Sequence, residues 1–216
     1  MKPRKSTRAK AVSPSPRRRE QKVHRQEEIL KAAFEVFAAH GYEATRIDEV
    51  ARQAGIAKGT IYLYFRDKEQ LFRAAVRSLP QKRFDAVAKT FTGGADDLFR
   101  DLLLRMYSQI VKSDRVRSIV RLLISEGGRF PQLADIYHRE IIAPGMKALR
   151  YVLKKGVASG KFRKTAAEEF PQILAAPAVL AILWGALHGE RHPLDLDAYM
   201  KAHLDFVLGS LRKQPE

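Results

Sequence analysis

The chain has 216 residues, of which 45% are hydrophobic, enough to bury a core in one large domain or in a small one joined to a larger one. Lys and Arg number 40 against 24 Asp and Glu, giving a net charge of +16 and an isoelectric point near 10.2, which favours polyanionic partners, nucleic acid ahead of an anionic membrane. The absence of cysteine excludes a disulfide framework, a thiolate zinc site and a cysteine nucleophile, and no apolar run reaches the about 18 residues needed to cross a bilayer. A cytoplasmic protein with no membrane partner is expected.

From Met1 to Lys22 the chain carries nine Lys and Arg against one acid, Glu20, with Pro3, Pro14 and Pro16, and reads as a disordered basic arm. Such an arm either tracks phosphates or enters the minor groove, or only adds solubility. Ile29, Leu30, Ala33, Phe34 and Phe37 then line one face of a helix over about Val23 to His40, with Gly41 placed to end it. Thr45 to Asp48 has the pattern of a capping box and opens a short helix with Ile47, Val50, Ala51 and Ala54 on its apolar face. Gly55 supplies a tight turn, Ile56 plugs it, and a second short helix follows over about Lys58 to Tyr64 with Ile61 and Phe65 facing inward. Two short helices around a glycine turn make a helix-turn-helix.

The second helix presents Lys58 and free N–H groups at its positive end, and Gly59 lets the backbone approach a duplex. Thr60 and Tyr62 suit base edges or phosphates, and Tyr64 and Lys68 suit phosphates. With Thr45 and Arg46 at the start of the first short helix, these form the expected DNA-contacting set. Asp67 to Gln70 resembles another capping box, so a new helix starts there and runs past Leu71, Phe72, Ala75 and Val76. The organisation expected is an arm over 1–22, a DNA-binding domain over 23–70 and a helical body over 71–216.

In the body, breaks fall at Thr92 to Gly94, at Gly127 to Pro131, at Ser159-Gly160 and at Gly189 to Pro193. Apolar stripes between them, such as Leu102, Leu103, Met106 and Ile110, or Met146, Leu149, Val152 and Leu153, predict a helical bundle, so the fold class is all-α. Phe99, Met106, Tyr107, Tyr137 and Trp184 are candidates to line an effector pocket, and at this spacing could equally be core. His188 and His192 lie one turn apart around Glu190, but Pro193 follows at once and the order is not a zinc-protease motif, so no metal is expected. No cofactor is expected either.

Between Ile29 and about Val76 the chain resembles the TetR/AcrR repressors, and the run from Ala51 to Leu71, ARQAGIAKGTIYLYFRDKEQL, follows that family's pattern almost position by position. The resemblance implies a three-helix DNA-binding head, a ligand-binding helical body, a homodimer sealed by the last two long helices, and no catalysis. Ala57 departs from the pattern where a Ser or Thr often caps the recognition helix, and Leu63 is apolar where a polar or aromatic residue is common. Beyond Val76 the likeness thins, although Leu123 to Leu133 is similar to a joint between body helices in one branch of the family. The dimer-forming pair would be Ala166 to Leu187 and Leu194 to Leu211, with Leu180, Leu183, Leu187, Tyr199, Phe206 and Val207 at the interface, unless they cover the body's own core.

The expected function is a repressor released from a palindromic, double-stranded operator by a small-molecule effector whose identity the sequence does not give, with activation the alternative, because DNA binding alone does not decide its effect on polymerase. Two rivals are an architectural DNA binder with steep salt dependence and little sequence preference, and an enzyme built on a bundle. No nucleophile with a positioned base supports the second.

Overall fold

The computed structural model describes residues 16–79 and 91–213; among them every regular element is helical, apart from an isolated antiparallel bridge between Phe162 and Arg212. Helix α1 spans Pro16–Ala44, α2 Ile47–Gln53, α3 Lys58–Tyr62 and α4 Lys68–Arg77. The segment expected to be disordered to Lys22 is therefore helical from Pro16 onward. A proline in the first turn loses no hydrogen bond, and the Arg and Gln residues behind it are good helix formers. The rest of the expected arm, residues 1–15, lies outside the described residues.

The four helices close around Ile29, Ala33, Phe37, Val50, Ala51, Ile61, Phe65, Leu71 and Phe72, all buried. Phe72 meets Phe37 and Tyr42 edge-on at 5.5 and 5.7 Å between ring centroids, a geometry that adds to the burial of large rings. Phe72 and Leu71 complete this core, and the boundary expected at residue 70 falls inside α4. Gly55 turns the chain between α2 and α3 with φ 65°, and the Ile56 N–H closes on the Ala51 carbonyl.

At Gly41, φ 79° and ψ 179° interrupt α1, a conformation open essentially to glycine alone. The interruption explains a second departure from expectation. The Thr45 hydroxyl donates back to the Gly41 carbonyl instead of capping α2, whose N-cap residue is Arg46 with no side-chain bond. Asp67 does cap α4, accepting from the Gln70 N–H.

The body comprises α5 (Ala95–Met106), α6 (Asp114–Glu126), α7 (Pro131–Tyr137), α8 (Ala143–Ala158), α9 (Gln172–Leu187) and α10 (Leu196–Leu211). Two π-helical turns extend α5 through Tyr107–Val111 and join α7 to α8 through His138–Ile142. The second has a covalent cause: Pro144 has no N–H to offer the Glu140 carbonyl, so the ladder widens ahead of it and the Ala143 N–H reaches the His138 carbonyl. Ser113 caps α6, marking a break at Lys112-Ser113 that no glycine or proline announces. Helix α6 packs against α1 at one side and α9 at another, while α4 packs on α7 and its π turn. Two helices of the body therefore rest directly on the head.

Candidate nucleic-acid interface and ligand cavity

Helix α3 is held by the Ile61 and Phe65 anchors, which turn Lys58, Gly59, Tyr62 and Leu63 outward. Thr60 is half-buried, and Arg46 is exposed next to α2. The Lys58 ammonium lies 2.7 Å from Asp48 Oδ1 on the exposed surface, and that hydrogen bond holds it above its ordinary pKa. It stays charged and accessible, as a phosphate contact requires. Tyr64 packs half-buried against the core, with the Lys22 ammonium 6.0 Å from its ring, so the first helix contributes a cation to the same side. Leu63, 79% exposed, was absent from the expected contact set; an apolar residue at that position carries no pattern of its own in the sequence.

Two residues of the expected set point elsewhere. Thr45 is 3% exposed, with its hydroxyl committed to Gly41. Lys68 donates to the carbonyls of Tyr42, Glu43 and Thr45 at 2.7, 2.9 and 3.2 Å and lies 4.6 Å from the Tyr42 ring centroid. The carbonyls left unpaired at the end of α1 attract a cation, and the burial that results lowers the Lys68 pKa. Lys68 is a staple inside the head.

The joint between head and body was not legible in advance. Glu126, the last residue of α6, accepts the N–H groups of Tyr42 and Glu43 at 3.0 and 2.9 Å, just beyond the Gly41 kink. A Cβ at Gly41 would run into that carboxylate, so the glycine is required by backbone angle and by space together. Phe130 stacks edge-on to Tyr42 at 5.4 Å, and Arg129 pairs with Glu43. On the other side Arg77, the last residue of α4, meets Glu140 of the π turn at 2.7 Å.

Inside the body lies a cavity of about 350 Å³, walled by α5, α6, α8, α9 and both π turns. Its wall is almost wholly apolar and includes Phe99, Met106 and Tyr137, three of the five expected pocket residues. Tyr107 is instead buried in a hydrogen-bonded chain: its hydroxyl lies 3.0 Å from His203 Nδ1, and His203 Nε2 lies 2.9 Å from the Leu174 carbonyl. A carbonyl only accepts, so Nε2 carries the proton and Nδ1 accepts from the tyrosine. Burial lowers the His203 pKa and keeps the ring neutral. Trp184 also lies off the cavity wall, 38% exposed, with its ring 4.5 Å from His188 and its N–H bonded to the His192 carbonyl. Among the described residues no three His, Asp or Glu side chains gather as a metal site.

Helix α9 is apolar on every side. One side enters the core, while Ile173, Val179, Leu180, Trp184 and Leu187 stay exposed, and Phe206 of α10 is 75% exposed. Of the expected interface residues, Leu180, Leu187 and Phe206 face outward. Leu183 lines the cavity, Tyr199 is tied by its hydroxyl to the Pro177 carbonyl, and Val207 is 2% exposed in the body's own core. The period of α10 places Val207 with Leu204, Leu208 and Leu211 on its inward side, one step round from Phe206.

Residues 29–75 match the family "Bacterial regulatory proteins, tetR family", and residues 92–196 match "Tetracyclin repressor-like, C-terminal domain". The Fatty acid metabolism regulator protein of Bacillus subtilis is 27% identical over 141 residues, covering 63% of this chain and 70% of that protein. The transcriptional repressor AcnR of Corynebacterium diphtheriae is 35% identical over 79 residues, covering 37% of this chain and 40% of its own length. In fold, the chain is similar to FadR of Bacillus subtilis solved with stearoyl-CoA, with a TM-score of 0.70 and 22% identity over 85% of this chain and 98% of that one. It is similar also to the fatty acid degradation regulator FadR of Bacillus halodurans, with a TM-score of 0.69 and 22% identity over 86% and 99%. Among the described residues no helix is long and apolar enough to cross a membrane.

Proposed function

The chain belongs to the TetR family of bacterial regulatory proteins, DNA-binding regulators of transcription that are not enzymes, and we propose that it is a homodimeric repressor released from a palindromic operator by an apolar effector. The observation that carries this reading is a shared helix. Val120, Leu123 and Ile124 of α6 line the cavity, and two residues further on Glu126 holds the head at the Gly41 kink. A ligand that moves the cavity wall has a direct route to the DNA reader through one rigid element.

The exposed apolar side of α9 with Phe206 is the surface through which two copies join, because a face of this kind on a helix already buried on its other side calls for a partner. The dimer sets two α3 helices about 34–36 Å apart, one turn of duplex, and so selects a palindrome. Arg46, Lys58, Gly59, Thr60, Tyr62 and Tyr64 make the contacts, with Leu63 available to thymine methyl groups. To empty an occupied operator, the effector must favour the released state by about 5 kcal/mol. Stearoyl-CoA, bound by the Bacillus subtilis FadR, has the long apolar chain that a wall of this composition accepts.

Selection of bound sequences from a random duplex pool tests the DNA-binding part. Enriched sites should be palindromic, with half-site centres about 10 bp apart, and should bind at least about a thousandfold more tightly than random duplex at physiological salt. Equal affinity for enriched and random DNA would instead establish the architectural binder.

A further inference from the structure

The inventory of the cavity wall is unusually one-sided. Among the described residues its lining holds no Lys, Arg, His, Asp or Glu, and no Ser, Thr, Asn or Gln, and Tyr137 is the polar side chain there. That tyrosine packs half-buried against the core at the end of α7, where the π turn begins. Among the described residues its hydroxyl makes no hydrogen bond. Burial pushes its pKa up to about 12, and a tyrosine hydroxyl is in any case a protonated donor at neutral pH.

A tyrosine hydroxyl on an otherwise apolar wall gains a hydrogen bond when a ligand brings an acceptor to it, and an apolar ligand has nothing to offer it. A charged group has no such welcome, since nothing on the wall compensates the loss of its hydration. We infer that the cavity takes an uncharged, elongated apolar molecule bearing a carbonyl or ether oxygen, and that Tyr137 is the specificity-determining residue that donates to that oxygen. This inference rests on the effector reading above and refines it. The cavity's about 350 Å³ lies at the small end of ligand sites, about 300–1,000 Å³, which suits a medium-length chain or the inner part of a longer one. The anchor is also well placed for signalling: Tyr137 is three residues from Glu140, which holds Arg77 at the end of α4. A ligand fastened there pulls on the segment that touches the head.

The test compares wild-type full-length protein with Tyr137→Phe, a change that keeps the ring and removes only the donor. Binding of 2-nonanone, an alkyl bromide of the same length, nonanoate at pH 8 and nonyltrimethylammonium is followed by calorimetry. The ketone should bind the wild type best and lose about tenfold in Tyr137→Phe, while the bromide binds both proteins equally. The ketone should also release selected operator DNA from the wild type at lower concentration than from the variant. An unchanged ketone affinity in the variant, or tighter binding of nonanoate or of the ammonium to the wild type, overturns the role of Tyr137 while leaving an effector cavity in place. Failure of all four probes to bind either protein overturns the effector reading as well.

Discussion

Head and body are both built from short amphipathic helices, yet they use their apolar residues differently. In the head, Phe37, Tyr42 and Phe72 interlock with Val50, Ile61 and Phe65 into a buried core, and the exposed side of α3 is left to Lys58, Gly59 and Tyr62. In the body the apolar residues leave about 350 Å³ unfilled and also spill onto the outside of α9. Dense packing makes a module that moves as a unit, whereas a cavity leaves its walls room to rearrange. The difference suits the two tasks proposed for the chain: a reader that holds its contact residues at fixed spacing, and a receptor that changes shape when filled.

This contrast can be broken first at the head core. Phe72→Ala removes a fully buried ring that touches Phe37 and Tyr42, and should destabilise the protein by about 3–5 kcal/mol in urea unfolding, with loss of DNA binding. A change within experimental error would show that the head is not the tightly packed unit described. Next come two lysines ten residues apart. Lys68→Ala deprives three carbonyls at and just beyond the end of α1 of their donor and should cost about 1–2 kcal/mol of stability. Lys58→Ala should leave the unfolding midpoint unchanged, weaken binding across all DNA sequences and reduce the slope of log affinity against log salt by about 1. If the two variants exchange these behaviours, the placement of the interface is wrong.

At the joint, Glu126→Ala strips the acceptor from the Tyr42 and Glu43 N–H groups. It should cost about 1–2 kcal/mol and, more tellingly, reduce the effect of a bound ligand on operator affinity while the ligand still binds. Equal ligand response in the variant would mean that α6 is not the route between the two regions. The smallest effect on stability is expected inside the cavity. Gly145 lines it with open space where a Cβ would stand, so Gly145→Leu should leave stability unchanged or raise it by up to about 1 kcal/mol through helix propensity. Operator binding should persist and ligand affinity should fall; a fully responsive variant would place the effector elsewhere.

How far the sequence could be read follows the same division. The helix-turn-helix was legible because its determinants are local: Gly55 at positive φ, Val50 and Ala51 on the apolar face of α2, Ile61 and Phe65 at helical spacing. The carbonyl contacts of Lys68 were not legible, because a lysine near a DNA-reading helix looks the same whether it meets phosphate or the carbonyls of a helix end twenty-odd residues away. Thr45 failed for a related reason, since the kink at Gly41 offered its hydroxyl a nearer acceptor than the next helix. In the body, Tyr107, Tyr137 and Trp184 were indistinguishable as aromatic residues on helices, yet one is bonded to His203, one lines the cavity and one stacks on His188 at the surface.

The residues alone, then, determined the helical class, the family and the outward side of the recognition helix, because hydrophobic period, glycine turns and caps act between neighbours in the chain. Only the folded molecule decided that Glu126 clasps the Gly41 kink, that Glu140 meets Arg77, and that one tyrosine lines the apolar cavity. Those contacts join residues more than sixty positions apart or depend on which direction a side chain leaves its helix. Packing of whole helices against one another settles both, and no local spacing records it.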